Sequence, residues 1–253
     1  MAIAQEKIIA RLFVASALGE GALLELSGNH HHYLAHSLRA EAGQRAALFN
    51  GREGEWRAII RAIGKKSVTV EAELRLRMQY DCPDIQLAFA PVKNEKIDFT
   101  VRRATELGVS ALLPVITQRT VVTRINTDRL RANAIEAAEQ CGRMDIPLLH
   151  PPQKLETMLS QWPPERTMLH CDETGKGMPF HTLLPGLDKG KYAVLIGPEG
   201  GFSPEERQRL ASLPYAKAVS LGPRILRAET AALAALANLM AWAGDWEERP
   251  AFS

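Results

Sequence analysis

Two glycine-bearing stretches near the carboxyl end have residue types and spacing suited to chemistry: LIGPEGGFSPEE at 195–206 and SLGPRILRAETAA at 220–232. In the first, an apolar run ends in Gly197, Gly200 and Gly201, which leaves main-chain N–H and C=O groups open to a closely approaching ligand. A side chain at Gly200 is expected to crowd that approach. The stretch has neither the Gly-Lys-Ser/Thr of a phosphate loop nor a G-x-G-x-x-G fingerprint, so the chemistry turns away from nucleotide phosphates. In the second stretch Gly222 and Pro223 make a sharp turn, and Arg224 and Arg227 flank Ile225 and Leu226. Glu229 and Thr230 then open an Ala-rich helix. Capping and helix-dipole rules place such residues at a helix start, so Glu229 reads as a cap rather than a catalyst.

The elements that must hold these loops follow two different patterns. Up to about Tyr80 the chain reads as short strands at 11–14, 23–26, 46–50, 56–60 and 68–74, separated by glycines, with one helix from about Asn29 to Leu38. This is the pattern of a small β-barrel. From about residue 85 apolar strands alternate with amphipathic helices, as in an α/β domain with a mostly parallel sheet. Strand 85–92 leads to helix 95–107, on which Ile97, Val101 and Ala104 share a face and which Gly108 stops. Strand 110–116 precedes a helix ending at Gly142, and shorter units follow to 171. Strand 192–197 feeds helix 204–213, whose start has Ser203 and Glu206 at capping-box spacing and Pro204 in the first position. Strand 216–222 feeds helix 229–243. Both glycine stretches thus fall at the carboxyl ends of strands, where open α/β sheets bind ligands.

Composition narrows the setting. The chain has 253 residues, 31 Lys+Arg against 29 Asp+Glu and 46% hydrophobic content, which excludes a disordered chain. No uncharged apolar run approaches the ~18 residues of a membrane span, and the start lacks the pattern of a secretory signal. Cys82, Cys141 and Cys171 are odd in number and widely spaced, which suits a reducing, cytoplasmic setting. His30, His31 and His32 cannot converge on one ion from one helix face, so no metal is expected. The formal charge of +2 permits a nucleic-acid partner without demanding one.

The two loops together, GPEGGFSPEE and LGPRILRAETAALAAL, resemble the signature of the SPOUT-class RNA methyltransferases, specifically the ribosomal RNA small subunit methyltransferase E family. KNEKIDFTVRRATELGVSALLPVITQRTVV at 93–122, EAAEQCGRMDIP at 136–147 and the amino-terminal RLFV with its His-rich helix are similar as well, so the resemblance spans nearly the whole chain. Departures are small: RRATELG stands where a Lys-Ala-Thr-Glu-Leu-Gly form is commoner, and CGR follows Glu139-Gln140 where Ser is frequent. The resemblance implies a PUA-like β-barrel for RNA binding over 1–78, a SPOUT domain with a parallel sheet and a deep trefoil knot over 79–246, and a tail over 247–253. It further implies a cytoplasmic homodimer that uses S-adenosylmethionine to make 3-methyluridine in 16S rRNA of the small ribosomal subunit. The alternatives are another rRNA or tRNA position, ribose 2'-O methylation, or a non-catalytic RNA-binding assembly factor.

Carried over by residue, the resemblance places the cofactor against Leu195, Ile196, Gly197, Pro198, Glu199, Gly200 and Gly201, then Ser220, Leu221, Gly222, Ile225, Leu226 and Ala231. Main-chain groups near Leu221 and Leu226 would hold the adenine. Methylation of uracil N3 develops negative charge on O2 or O4, which Arg224 and Arg227 are placed to stabilise as catalytic residues; phosphate anchoring or a helix-end ion pair is the other reading of both. Arg11, His32, Arg39, Arg103, Arg119 and Arg143 are the candidates for RNA contact.

Overall fold

The computed structural model describes residues 7–122, 124–188 and 190–248. By its internal contacts the chain divides into two compact units, Met1–Asp81 with Ala138–Ile146, and Cys82–Ala137 with Pro147–Ser253. Residues 249–253 of the expected tail lie outside the described residues.

The first unit is a five-stranded sheet: β1 (Ile8–Phe13), β2 (Leu23–Ser27), β3 (Arg45–Phe49), β4 (Glu55–Ile63) and β5 (Ser67–Arg77). A short helix, α1 (Asn29–His31), continues as a π-helical turn, His32–Ser37, between β2 and β3. The strand order is β1-β3-β4-β5-β2, with β1 parallel to β3 and the other pairs antiparallel. The period-two pattern of VTVEAEL sends Val68, Val70 and Ala72 inward, all fully buried. They join Leu12, Leu24, Leu26, Leu48 and Ile60 in a core to which all five strands contribute.

Polar groups of this unit are matched to one another. Glu55, buried on β4, accepts hydrogen bonds from both Arg11 and Arg77. Arg11 also donates to the carbonyls of Ala138 and Arg143, each at 2.8 Å, and its guanidinium lies 3.9 Å from the centre of the Phe49 ring. Arg77 reaches the Gly142 carbonyl at 2.8 Å, and the Phe13 N–H donates to Glu139 at 2.9 Å. These bonds hold the segment Ala138–Ile146 in the first unit.

The second unit contains β6 (Ile85–Phe89), α2 (Asn94–Glu106), β7 (Ala111–Ile116), α3 (Thr127–Cys141), β8 (Leu148–Leu149), β9 (Gln153–Lys154) and α4 (Leu155–Ser160). There follow β10 (Thr167–Cys171), β11 (Met178–Pro179), α5 (Phe180–Leu183) with the 3-10 turn Leu184–Gly186, β12 (Tyr192–Ile196), α6 (Pro204–Ala211), β13 (Ala216–Ser220) and α7 (Ala228–Ala243). Every strand pair is parallel, in the order β11-β13-β10-β12-β6-β7-β8, with β9 beside β7. Purely parallel sheets are covered on both faces, which explains why β12 is buried at all five positions. Met168, Ala193, Leu195 and Phe202 pack with Leu155, Leu159 and Leu210 of α4 and α6. Ala231, Ala232, Ala235, Leu236, Leu239 and Met240 are the buried side of α7, which packs against α2, and small alanines let the helices approach closely. Among the described residues no helix is long and apolar enough to cross a membrane.

Local signals account for the helix boundaries. Ser203 Oγ accepts from the Glu206 N–H at 3.1 Å while the Glu206 carboxylate accepts from the Ser203 N–H at 2.9 Å, a complete capping box. Gly108 and Gly142 stop α2 and α3 in the left-handed region, at φ 90° and 83°. The short β9, β11 and α5 had no signal in the sequence, because two to four residues establish no period.

Candidate active site

The two glycine stretches leave the sheet at the carboxyl ends of β12 and β13. They are not immediate neighbours: β10 lies between the two strands, so the loop roots are two strand spacings, roughly 10 Å, apart. The loop after β10, residues 172–177, therefore belongs to the same edge, a contribution the sequence did not reveal. Gly177 in that loop packs so tightly that an added Cβ would sit 2.6 Å from the Val219 carbonyl carbon. Asp172 orders the loop by accepting from the N–H and hydroxyl of Thr174 at 3.0 and 2.8 Å.

Close packing fixes the first loop, residues 197–203. A Cβ on Gly197 would meet the buried Phe202 ring at 3.0 Å. Gly201 has φ 66°, and a Cβ there would stand 2.8 Å from the Glu173 carboxyl carbon. At Gly200 a Cβ would meet only the Arg119 side chain, at an ordinary 3.6 Å. Within the fold the restriction falls on Gly197, beside the Phe202 ring, and on Gly201, through its positive φ, while Gly200 has room for a Cβ on the protein side. Two side chains beyond the glycines hold the loop in place. Arg119, after β7, donates to the Gly200 carbonyl at 2.8 Å, and Glu206 accepts from the Gln118 N–H at 2.7 Å.

The second loop is more open. Gly222 has φ 104° and nothing within 4 Å of where a Cβ would be, and its N–H donates to the Ser220 hydroxyl at 3.3 Å. Leu221 and Leu226 are half-buried, and Ile225 is 90% exposed, an apolar side chain that the fold leaves uncovered. Arg224 and Arg227 are exposed. Glu229, in the first turn of α7, makes no capping hydrogen bond; Arg227 holds the cap position. The reading of Glu229 as a cap is corrected on that ground.

A charged contact joins three segments of this edge. Lys96, in the first turn of α2, bonds closely to Glu199 and lies 4.0 Å from Glu229. The bond from Lys96, and then its charge, holds the exposed Glu199 carboxyl below the usual carboxylate range.

The expected site residues separate into groups. Gly197, Pro198, Glu199, Gly200 and Gly201 share one loop, and Leu221, Gly222, Ile225 and Leu226 the other. Leu195 is buried in β12 with ladder partners on both sides, and Ile196, also buried, pairs with Phe89 of β6 and accepts from the Ala90 N–H through its carbonyl, so these two support the loop from below. Ala231 is buried in α7, and Ser220 ends β13. Arg103 pairs with Glu106 on α2 at 2.6 Å and remains exposed, as do Arg119, His32 and Arg39. Arg11 and Arg143 differ. Arg11 is bonded to Glu55 and two carbonyls, and Arg143 is buried with Asp145 at 3.0 Å, so both guanidinium groups already have partners within the first unit.

The residues present fit a small organic cofactor bound through peptide groups. The main-chain groups of both loops are available as donors and acceptors, and Leu221, Ile225 and Leu226 supply apolar surface beside them. Among the described residues no cluster of His, Cys, Asp and Glu is arranged to hold a metal.

Comparison with known proteins agrees with this geometry. Residues 80–240 match an RNA methyltransferase domain, and residues 26–73 match an RNA methyltransferase PUA domain. A ribosomal RNA small subunit methyltransferase E from Rickettsia conorii is 33% identical, over 94% of this chain and 98% of its own length. A putative methyltransferase from Legionella pneumophila, solved with bound cofactor SAM, superposes with a TM-score of 0.84 at 32% identity, covering 94% of this chain and 99% of that one. A ribosomal RNA small subunit methyltransferase E from Neisseria gonorrhoeae bound to S-adenosyl methionine gives 0.84 at 28% identity, with the same coverage. A parallel sheet whose carboxyl edge carries two glycine loops, matched over almost its full length by such relatives, identifies the lineage: the chain belongs to the RNA methyltransferase family that includes ribosomal RNA small subunit methyltransferase E.

Proposed function

We propose that this chain transfers a methyl group from S-adenosylmethionine to N3 of a uridine in 16S rRNA. The observation that carries the reading is the pair of peptide-lined loops after β12 and β13, on the same edge of a parallel sheet. The relatives solved with this cofactor support it. The bound cofactor supplies an electrophilic methyl group on a sulfonium, so the protein needs mainly to orient, exclude water and manage charge.

In this reading main-chain groups of Gly197–Gly201 and of Leu221–Leu226 hold the cofactor, with Ile225 and Leu226 covering its adenine. The close contacts of Gly197 and Gly201 keep the first loop in one conformation, so the reacting groups meet already oriented. Arg224 and Arg227, exposed beside the loops, stabilise negative charge on the uracil oxygens as N3 becomes nucleophilic. Arg103 and Arg119 on the methyltransferase domain, 79–246, and His32 and Arg39 on the barrel, 1–78, contact RNA backbone. Arg119 also fixes the Gly200 carbonyl. The crossings that carry the two loops form a trefoil knot, and the enzyme works as a cytoplasmic homodimer. Exposed Trp242 and Trp246 at the end of α7 offer apolar surface for a second copy.

The test is methylation of deproteinised 16S rRNA and of assembled small subunits with labelled cofactor, followed by nucleoside identification. 3-Methyluridine is the expected product. A 2'-O-methylated nucleoside, or cofactor binding without turnover, would replace the reading.

A further inference from the structure

The Glu229 carboxylate has fewer partners than its burial calls for. Its side chain keeps only 15% exposure, yet among the described residues it accepts no hydrogen bond. Oε2 is closed off and unpartnered, while Oε1 stands 4.0 Å from Lys96 Nζ, close enough for an ion pair and too far for a hydrogen bond. Lys96 gives its short bond to Glu199 instead. A buried acceptor left in this state carries an uncompensated desolvation cost, and in a native protein such a group calls for an explanation, a catalytic role among them. The place of Glu229 in the first turn of α7 suits the helix dipole, but no capping hydrogen bond is made and Oε2 is left without a donor.

Its position says which ligand. Lys96 follows β6, Glu199 follows β12 and Glu229 follows the β13 loop, and β6 and β12 are neighbours in the sheet. The charged groups about the carboxylate are therefore Lys96 from α2 and Glu199 from the first loop, with Arg227 and Lys93 acting on Glu199. Two carboxylates share one ammonium, which leaves the inner one short of donors. Uracil has a single N–H on its pairing edge, N3–H, and that proton must leave when N3 is methylated.

We propose that Glu229 is the acceptor of the N3 proton of the target uridine, with Lys96, 4.0 Å from its Oε1, as the positioning residue. This rests on the functional reading above. The N3 lone pair forms the new N–C bond and the S–C bond electrons remain on the cofactor sulfur. The proton goes to a Glu229 oxygen, giving a thioether, 3-methyluridine and a neutral carboxylic acid that returns its proton to water. The terminal carboxylate torsion is broad and two-fold, so a turn brings either oxygen to the base. Arg224 and Arg227 stabilise charge on the uracil oxygens and take no proton.

The experiment compares Glu229→Gln with the wild-type enzyme in single-turnover methylation across the neutral and alkaline range, with cofactor affinity measured separately by calorimetry. The expected result is a rate lower by about 10²- to 10⁴-fold near neutrality, unchanged cofactor affinity, and a rate that climbs in proportion to hydroxide where the wild type is flat. Lys96→Met should keep cofactor binding and lower the single-turnover rate, and Lys96→Arg, which restores a cation at the same place, should recover part of it. A Glu229→Gln enzyme whose rate and pH profile follow the wild type overturns the assignment, as does one whose loss lies wholly in cofactor affinity or folding. A wild-type enzyme that yields a nucleoside other than 3-methyluridine overturns the functional reading instead, and the assignment falls with it.

Discussion

The barrel unit and the carboxyl edge of the parallel sheet differ in how far their polar groups are matched within the fold. In the barrel, Arg11 and Arg77 share Glu55, Arg45 and Arg57 share Glu73, and Arg61 pairs with Glu71. At the carboxyl edge of the parallel sheet, Gly222 faces open space, Ile225 is uncovered, Arg224 and Arg227 point outward and a Glu229 oxygen has no partner. Groups satisfied within the fold stabilise it, whereas an exposed or unsatisfied group at a sheet edge remains available to a ligand. A count of arginines in the sequence cannot make this distinction, which is why Arg11 and Arg119, similar as residue types, have different roles.

Substitutions can sharpen the contrast. The largest effect is expected on the barrel side: Glu55→Ala leaves two largely buried guanidinium groups without their carboxylate and should cost about 3–5 kcal/mol of unfolding free energy. Denaturant unfolding checks it, and a loss below about 1 kcal/mol would mean that the pair behaves like a surface salt bridge. On the other side, Gly201→Val forces a β-branched residue to φ 66° and against Glu173, and should weaken cofactor binding by about 100-fold, equivalent to ~2.7 kcal/mol. Calorimetric titration reads it directly. Arg224→Ala removes a charge beside the reacting base and should lower single-turnover rate by about 10-fold or more with little change in cofactor affinity. The reverse pattern would make Arg224 a cofactor ligand. The smallest effect belongs to Gly200→Ala, whose Cβ meets Arg119 at ordinary contact; stability and cofactor affinity should stay within about 0.5 kcal/mol of the parent. A large loss there would return the restriction to Gly200.

Much of the fold was legible because its signals are local. The period of VTVEAEL, the Ile97–Val101–Ala104 face, the stops at Gly108 and Gly142 and the Ser203–Glu206 box each depend on residues a few positions apart, and each takes the expected form. The two loops were legible for the same reason, since a strand, glycines and a capped helix stand in one run of sequence. The loop at 172–177 was not. It carries Gly175 and Gly177, but no capped helix follows them in the sequence, and it reaches the site because β10 inserts between β12 and β13. Arg119 and Glu206 gain their roles from partners 81 and 88 residues away. Glu229 was misread because capping rules consider only the helix start, whereas Lys96 and Glu199 lie far off in the chain.

By itself the sequence determined the alternation of strands and helices, the location of the glycine loops and the family they resemble, because backbone conformation and hydrophobic period are properties of neighbouring residues. Only the tertiary structure decided the strand order, the capture of Ala138–Ile146 by the barrel unit, and which charged groups are satisfied and which remain open. Those depend on burial and on pairing across long separations in the chain, and both come into existence only when the sheets are assembled.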